Sequence, residues 1–325
     1  MCLTIIIPCS TADADYFFEW FAPFVHDDRF DFRYLIVLNG DFVPQFCHEL
    51  DKLEFVTIIS FDRPLFPGRA RNIALDYIDD GHLVFIDART IVTSNWLKFA
   101  YDFHLNHPGS SCLGSVLFLP SKSWHFPLIS STYGFHQISC LPGSIIHRKA
   151  FSRAGFFLPN VRAGEDIDWI WRASCHSLFL DTEISPPLKY NLDPSWNFFY
   201  YVRKWFRNYS YTSTLPYVSD SQRTFYTFFL FVSVSCFAYA WNSLFANWNV
   251  LSPLYIPFIS RSVVTLFILL YLCLRCIYLP LKKGASVRNL VESFILLVPI
   301  SIALDVVKLI AFLPSMLHRI RIFSK

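Results

Sequence analysis

The chain has 325 residues, 54% of them hydrophobic, and its mean hydropathy of +0.37 is higher than soluble globular proteins normally show. The net charge is only +3 and no Lys/Arg block stands out before the apolar region, which excludes a nucleic-acid-binding stripe, so nucleic acid is not an expected partner. Nine scattered cysteines without paired metal spacing fit a reducing compartment. Because the apolar excess begins near Phe225, we expect a soluble domain followed by a membrane domain.

The first two thirds of the chain alternate short apolar runs with helical patterns. The run Leu3–Ile7 has no basic n-region before it and is too short for a signal peptide, so it predicts a buried strand. Further strands are predicted at Tyr34–Leu38, Phe55–Ser60, His82–Ile86, Gly114–Leu119 and Gly143–His147, with helices at Asp13–Val25, after Pro67, at Trp96–Leu105 and at Gly164–His176. This alternation predicts an α/β fold with a Rossmann-like, mostly parallel sheet. Ser121–Leu141 shows no period and is predicted to be a long functional loop.

The stretch PGRARNIALDYIDDGHLVFIDART, Pro67 to Thr90, is the most informative. Arg69 and Arg71 fall in the first turn of a helix, where free N–H groups and the helix dipole favour phosphate. Asp87 follows a buried strand, at the carboxyl end where open α/β sheets bind ligands. This arrangement suits a nucleotide diphosphate. The alternative is that the arginines are solvated and Asp87 only begins a turn.

A second stretch, GEDIDWIWR from Gly164 to Arg172, places three acids at the start of a helix. Asp168 stands four residues before Arg172, and such a pair contributes about 0.3–0.5 kcal/mol to a helix. Carboxylates at a helix N-terminus also have a purely structural explanation. With Asp168 paired to Arg172, Glu165 and Asp166 remain to face a site.

The last third contains three apolar segments. Phe225–Ala246 is roughly 22 residues without a charge, enough to span a bilayer, and Leu254–Leu281 is a second span. Lys282, Lys283 and Arg288 follow it, so the positive-inside rule places that loop and the soluble domain in the cytosol of a multi-pass inner-membrane protein. Leu290–Leu313 is interrupted by charges, and we expect it to be spanning or re-entrant, with a slight preference for re-entrant.

The segment WNFFYYVRKWFRNYSY, Trp196 to Tyr211, mixes aromatic residues with Arg203, Lys204 and Arg207. Aromatic rings with snorkelling cations are typical of a membrane interface, so membrane lipid is an expected partner. The alternative is an ordinary amphipathic helix on the soluble domain.

Five motifs in order resemble the membrane-anchored bacterial form of the family 2 glycosyltransferases with the GT-A fold: TIIIP at Thr4–Pro8, ARN at Ala70–Asn72, FIDART at Phe85–Thr90, GSIIHRKAF at Gly143–Phe151, and GEDIDWIWR. The resemblance covers about residues 3 to 215. It implies that a hexose is transferred from a nucleotide-sugar donor to an acceptor hydroxyl with inversion at the anomeric carbon. The expected division is a glycosyltransferase domain at 1–195, a juxtamembrane segment at 196–224 and a membrane domain at 225–325.

Most residue roles follow from the resemblance. Asp166 is implied as the general base and Glu165 as the residue beside it that orients the acceptor. Donor-binding roles are implied for Pro8, Ser10, Asn39, Arg71, Asn72 and Asp87. Arg69 and Arg89 are added as donor-binding residues because arginine suits phosphate, not because of the resemblance. Arg203, Trp205 and Arg207 are implied at the acceptor entrance, although interfacial anchoring explains them equally well.

The sequence departs from the family pattern at two positions. Arg89 replaces the second acid of the DxD element, which leaves Asp87 as the one candidate metal ligand and predicts poor binding of Mg²⁺ or Mn²⁺. Arginine can contact phosphate bidentately, so we hypothesise that Arg89, with Arg69, replaces the metal. Asn39 stands where many members have Asp, which leaves the nucleobase open.

The expected activity is therefore transfer of a sugar to a lipid-linked or membrane-proximal glycan acceptor, in surface polysaccharide or lipid-linked oligosaccharide assembly. Tethering to the membrane raises the effective concentration of such an acceptor. The alternative is a catalytically decayed GT-A scaffold that binds at the membrane. A transport role needs a polar path through the membrane part, which the few charges there, Asp305 and Lys308, support least.

Overall fold

The computed structural model describes residues 3–10, 13–21, 31–40, 45–180, 185–192, 195 and 197–323. The chain forms two compact units. The first consists of Met1–Ser121 and His136–Asp193, and the second consists of Lys122–Phe135 and Pro194–Lys325. The segment 122–135 thus leaves the first unit between two of its strands and belongs to the second.

The first unit is built on one eight-stranded sheet. Its strands are β1 (Leu3–Ser10), β2 (Phe32–Asn39), β3 (Val56–Phe61), β4 (His82–Phe85), β5 (Thr90–Ile91), β6 (Cys112–Leu119), β7 (Ile138–His147) and β8 (Leu188–Asn191), in the order β3-β2-β1-β4-β7-β6-β8-β5. The first four strands pair in parallel, whereas β7 is antiparallel to both β4 and β6. The chain leaves β6 and re-enters β7 at the same end of the sheet, as an antiparallel pair requires.

The helices are α1 (Ala14–Phe21), α2 (Gln45–Leu50), α3 (Pro67–Leu75), α4 (Ser94–Asn106), α5 (His125–Ser131), α6 (Ala150–Ala154), α7 (Glu165–Cys175), α8 (Phe198–Thr212), α9 (Pro216–Leu244), α10 (Arg261–Leu272), α11 (Leu279–Lys282) and α12 (Val287–Phe323). The expected helix at Asp13–Val25 is seen as α1, and its last four positions lie outside the described residues. The expectation that Ser121–Leu141 is all loop was wrong, because this segment contains α5 and the beginning of β7.

Strand residues alternate between two hydrophobic layers. In β1, Ile5 and Ile7 belong to the layer that includes Phe17 and Phe21 of α1, whereas Ile6 belongs to the layer with Ala70 and other α3 residues. Apolar residues thus face cores on both sides of the sheet, which is why the sequence of β1 is continuously apolar rather than alternating. The α/β fold class expected from the sequence is confirmed, with a mixed sheet.

Among its described residues, the second unit contains three helical stretches that are long and apolar enough to cross a membrane: Thr227–Leu244, Arg261–Lys282 and Val287–Leu313. They match the three apolar segments of the sequence. The middle stretch is interrupted by a π-helical turn at Cys273–Tyr278. Within this unit, the third helix packs against α5 and α8. Whether it crosses the bilayer or re-enters remains a prediction.

Candidate active site

The candidate site lies where β4 ends near the middle of the sheet. Ile86 and Asp87 follow the strand directly, and the turn after them is closed by Thr90, whose backbone N–H and hydroxyl both donate to the Asp87 carbonyl, at 2.9 and 2.6 Å. The side chain of Asp87 is 43% exposed. The carboxylate therefore stands at the carboxyl end of a central parallel strand, the position predicted from the sequence.

Arg71 links Asp87 to the acidic helix α7. It extends from α3 with its side chain 5% exposed, and its guanidinium donates to Asp87 Oδ1 at 3.1 Å and to Glu165 Oε1 at 2.6 Å. Both are charge-assisted hydrogen bonds. The Glu165 side chain is as deeply buried as that of Arg71, whereas Asp87 is partly exposed. Residues 71, 87 and 165, distant in the sequence, thus form one buried ion network.

The helix start that carries Arg71 packs closely on the chain before α7. A Cβ on Gly68 would lie 2.3 Å from the Leu158 carbonyl oxygen and 3.1 Å from Glu165 Cγ, so only glycine fits there. Gly164 begins α7 with φ of 88°, a left-handed conformation that glycine adopts without strain. These two glycines allow α3 and α7 to bring Arg71 and Glu165 together.

Three carboxylates share the single guanidinium of Arg71. Asp166 is partly exposed, lies within electrostatic reach of Asp87 and Glu165, and accepts from the Ile167 backbone N–H at 2.9 Å. Burial, followed by repulsion from Asp166, raises the pKa of Glu165 to about 7. Because three carboxylates lie near one guanidinium, we expect this cluster to bind a proton near neutral pH.

Two polar atoms of the network are buried without a hydrogen-bond partner in the described part of the chain. They are Arg71 Nε and Glu165 Oε2. Buried polar groups are nearly always paired, and exceptions concentrate where a ligand or chemical step completes them. The network is therefore held in place but incomplete.

A second polar cluster lies after β1. Asp13 accepts from the Ser10 hydroxyl at 2.6 Å and from Arg89 Nε at 2.5 Å, and the Arg89 guanidinium lies over the Tyr16 ring at 4.5 Å. Asn39 reaches across from β2 and donates to the Cys9 carbonyl at 3.4 Å. Ser10, Asn39 and Arg89, three of the expected donor-binding residues, are thus gathered around the ends of β1 and β2.

Asp13 was missed by the sequence reasoning. The signal that could have found it is the Ser-x-x-Asp spacing of Ser10 and Asp13 ahead of an apolar run, which resembles the capping-box pattern at a helix start. In the structure Asp13 orients Arg89 instead.

Asn72 has a positioning role in the structure. Its amide donates to the Phe157 carbonyl at 2.8 Å and its oxygen accepts from the Phe157 N–H at 3.0 Å. The Phe157 ring lies 5.6 Å from the Arg71 guanidinium. Asn72 therefore fixes the residue that packs against Arg71.

The remaining expected residues are more exposed. Arg69 is exposed on the first turn of α3 and Pro8 is half-buried in β1. In the second unit, α8 carries Arg203 and Arg207 as exposed residues and Trp205 as a half-buried one. The acceptor-side role of α8 stays a prediction.

The residues at the end of β4 fit a divalent metal poorly. Within the described ranges, no group of three or more His, Cys, Asp and Glu side chains converges as a metal site. Asp87 already accepts from Arg71, and position 89 presents a guanidinium held by Asp13 rather than a carboxylate. Hard cations need several oxygen ligands. We therefore derive no chemical step through a metal.

Comparison with known proteins identifies the fold. No protein-family model and no curated protein matches the sequence. Among solved structures, this chain is similar to the mannosyltransferase PcManGT from Pyrobaculum calidifontis, solved in complex with GDP-Man and Mn²⁺. The match covers 94% of this chain and 86% of the mannosyltransferase chain, with a TM-score of 0.53 and 13% identity. A fragment of S. aureus TarS in complex with UDP-GlcNAc matches with 16% identity and a TM-score of 0.45, and this chain spans 60% of that fragment's length. The likeness to the mannosyltransferase shows that this chain shares the fold of that protein.

Proposed function

We propose that the protein is an inverting glycosyltransferase that moves a sugar from a nucleotide-sugar donor to a hydroxyl of a lipid-linked or membrane-proximal glycan acceptor. The observation that carries this proposal is the Asp87–Arg71–Glu165 network beside Asp166, at the carboxyl end of a central strand in a glycosyltransferase fold. A buried, incompletely satisfied ion network at such a position is a candidate for chemistry rather than for stability.

In this proposal the donor lies along the ends of β1, β2 and β4. Pro8, Ser10 and Asn39 contact the nucleoside, Arg69 contacts the diphosphate, and Asp87 lies beside the sugar. Arg71 positions Asp87 and Glu165 by hydrogen bonds to both carboxylates. Asn72 positions Arg71 by holding the backbone of Phe157, whose ring packs against the guanidinium. The acceptor approaches from the α7 side.

The transfer is a single displacement. Asp166 takes the proton of the acceptor hydroxyl as its oxygen bonds to the anomeric carbon. The bond from that carbon to the diphosphate oxygen breaks, and its electron pair leaves on the nucleoside diphosphate. Attack opposite the leaving group inverts the configuration. Glu165, next to Asp166, orients the acceptor.

Arg89 supplies positive charge to the leaving diphosphate in this proposal. Asp13 and the Tyr16 ring hold its guanidinium in place, so little reorganisation is needed as negative charge develops. A planar guanidinium suits phosphate oxygens, and it takes the place of a divalent metal. Arg69, exposed on α3, adds a second positive charge.

The second unit supports a membrane-bound acceptor. Its three apolar stretches and the aromatic, basic helix α8 suit insertion at a bilayer. We propose that residues 1–195 form the catalytic domain on the cytosolic face, with 196–224 at the interface and 225–325 in the membrane. Arg203, Trp205 and Arg207 line the acceptor entrance in this arrangement.

The test is a thermal-shift titration of the full-length protein with UDP, GDP, CDP and dTDP, each with Mn²⁺ and with a chelator. We expect one nucleotide to stabilise the protein, and stabilisation that persists under chelator supports Arg89 as the substitute for metal. Absence of any shift contradicts the proposal and favours a non-catalytic scaffold.

A matched pair of variants tests the general base. In a donor-turnover assay with membrane acceptors, Asp166→Asn is expected to lose at least ~100-fold in turnover while still binding the nucleotide. Asp102→Asn, an exposed aspartate on α4, is the control and should keep wild-type turnover. Equal activity of the two variants contradicts the role of Asp166.

A further inference from the structure

The second unit contains a charged cluster that the proposed reaction does not use. Its centre is Asp305 of α12, fully buried, which accepts from Arg275 Nε at 2.6 Å and Nη2 at 3.1 Å and from the Tyr271 hydroxyl at 2.9 Å. Arg275 also donates to the Ser131 carbonyl at 2.8 Å. The two carboxylate oxygens of Asp305 thus already have short partners.

Lys308 has no comparable partner in the described part of this unit. Its shortest ion pair is with Asp305 Oδ1 at 3.7 Å, beyond hydrogen-bond length, although its side chain is only 13% exposed. Its ammonium instead lies 5.5 Å from the Trp205 ring and 5.2 Å from the Tyr209 ring, which stack on each other. The cation is held against two aromatic faces of α8 and lacks a short oxygen contact.

The cluster has an excess of positive charge. Lys283 donates to the Thr132 carbonyl at 2.6 Å and lies within electrostatic reach of Asp305 and Lys308. Among the described residues of this cluster, Asp305 is bonded to Arg275, lies 3.7 Å from Lys308 and is within electrostatic reach of Lys283, so three cations face one carboxylate. Charges removed from water are rarely left unbalanced, particularly in apolar helices, so this excess indicates an anionic partner.

An unpartnered donor lies at the same place. Trp205 Nε1 is buried and has no hydrogen-bond partner among the described residues. Lys308 lies over the same indole ring, with its ammonium 5.5 Å from the ring centroid, so the ammonium and the unpartnered N–H belong to one local cluster. Tyr133 packs on the Trp205 ring at 5.6 Å and fixes its orientation.

We propose that Lys308 and Trp205 bind the phosphate of an anionic membrane lipid. Aromatic residues and snorkelling lysines mark the headgroup level of a bilayer, which is where a lipid phosphate lies. The lipid oxygens accept from the Lys308 ammonium and the Trp205 indole N–H, and the phosphate charge offsets the excess of cations. Trp205 is also one of the residues proposed above for the acceptor entrance, so the two proposals share that side chain, but lipid binding at Lys308 does not require the nucleotide donor.

The test measures the unfolding midpoint of the full-length protein in nanodiscs. The discs contain phosphatidylcholine alone, phosphatidylcholine with phosphatidylglycerol, or phosphatidylcholine with inorganic phosphate added. We expect phosphatidylglycerol to raise the midpoint by roughly 3 °C and inorganic phosphate to leave it unchanged. An equal rise with inorganic phosphate overturns the assignment to a lipid.

Paired variants locate the effect. Lys308→Gln should lose more than half of the rise, whereas Lys282→Gln, an exposed lysine in the same unit, should keep it. An equal rise of the unfolding midpoint in both variants contradicts lipid binding at Lys308. Trp205→Phe keeps an aromatic ring for Lys308 but removes the N–H, and native mass spectrometry should show lipid retention about fivefold weaker, the equivalent of one hydrogen bond. Wild-type retention in Trp205→Phe also contradicts the proposal. None of these measurements involves nucleotide, so they stand apart from the test of transferase activity.

Discussion

Each unit of the protein contains a buried arginine bound to carboxylate, and the two centres differ in how completely they are satisfied. Arg275 donates two hydrogen bonds to Asp305 and one to a backbone carbonyl, and the Tyr271 hydroxyl donates a further hydrogen bond to the Asp305 carboxylate. Arg71 bonds to two carboxylates, one of them the half-exposed Asp87. Its Nε and Glu165 Oε2 have no hydrogen-bond partner among the residues that the structure describes. A complete network stabilises its surroundings, whereas an incomplete one beside an open strand end is available to a ligand.

The charge balance of the two centres is also opposite. Around Arg71, three carboxylates share one guanidinium, whereas around Asp305 three cations share one carboxylate. The first centre can hold or accept a proton, which suits a base near an acceptor hydroxyl. The second lacks negative charge, which suits a bound phosphate.

The largest effect is expected from removing each arginine in turn. Arg275→Met leaves Asp305 buried without its main partner and should destabilise the protein by about 3–5 kcal/mol. Arg71→Met should cost less stability, because Asp87 can be hydrated and Glu165 can take up a proton, but it should abolish nucleotide-dependent stabilisation. Chemical denaturation of the two variants measures the difference. An equal loss of stability in both would remove the distinction between the centres.

The double variant Arg275→Met/Asp305→Leu sharpens the same comparison. Replacing a whole buried ion pair by apolar residues is often neutral, so the double variant should recover most of the stability lost in Arg275→Met. The corresponding Arg71→Met/Glu165→Leu variant should recover stability but not nucleotide binding. Recovery of binding in that variant would contradict a functional role for the Arg71 centre.

A smaller effect is expected in the pH dependence of stability. The pKa of Glu165 is raised from 4.5 to about 7, so the folded state binds more protons than the unfolded state between these values. The contribution of Glu165 to stability should therefore fall as pH rises from about 4.5 to about 7 and then level off. Unfolding curves of Glu165→Gln should lack this slope, and an unchanged slope in the variant would contradict the pKa shift.

The smallest effect is expected at Arg89. Arg89→Lys keeps the positive charge but loses the planar fork that suits phosphate, and kcat/KM should fall by ~10-fold, equivalent to about 1.4 kcal/mol. Asp13→Asn removes the charge that orients Arg89 and should have a similar effect. The control Arg153→Lys, on α6, should leave kcat/KM unchanged. A gain of metal dependence in Arg89→Asp would support the proposal that the guanidinium replaces a metal.

The order of the strands and helices near the site could be predicted from the sequence. Continuous apolar runs such as Leu3–Ile7 predict strands buried on both faces, and the structure has β1, β2, β4 and most of β7 in this form. The predicted strands β3 and β6 are also present, but both are partly exposed. The placement of Asp87 after β4 and of the acids at the start of α7 also follows from local patterns. These features depend on residue spacing and on the chemistry of helix ends, which are local properties.

The partners of the site residues were decided by tertiary structure. Nothing local to Arg71 indicates that Asp87 and Glu165 will take its guanidinium, or that Asn72 will bind the backbone of Phe157. The same holds for the segment 122–135, whose helix α5 lies in the second unit and receives bonds from Arg275 and Lys283. Hydrophobic periodicity and end-capping act within a few residues, so the sequence alone determined where strands, helices and acids lie. Ion pairs between residues 94 positions apart depend on how the packed layers bring side chains together, and only the folded chain determined those.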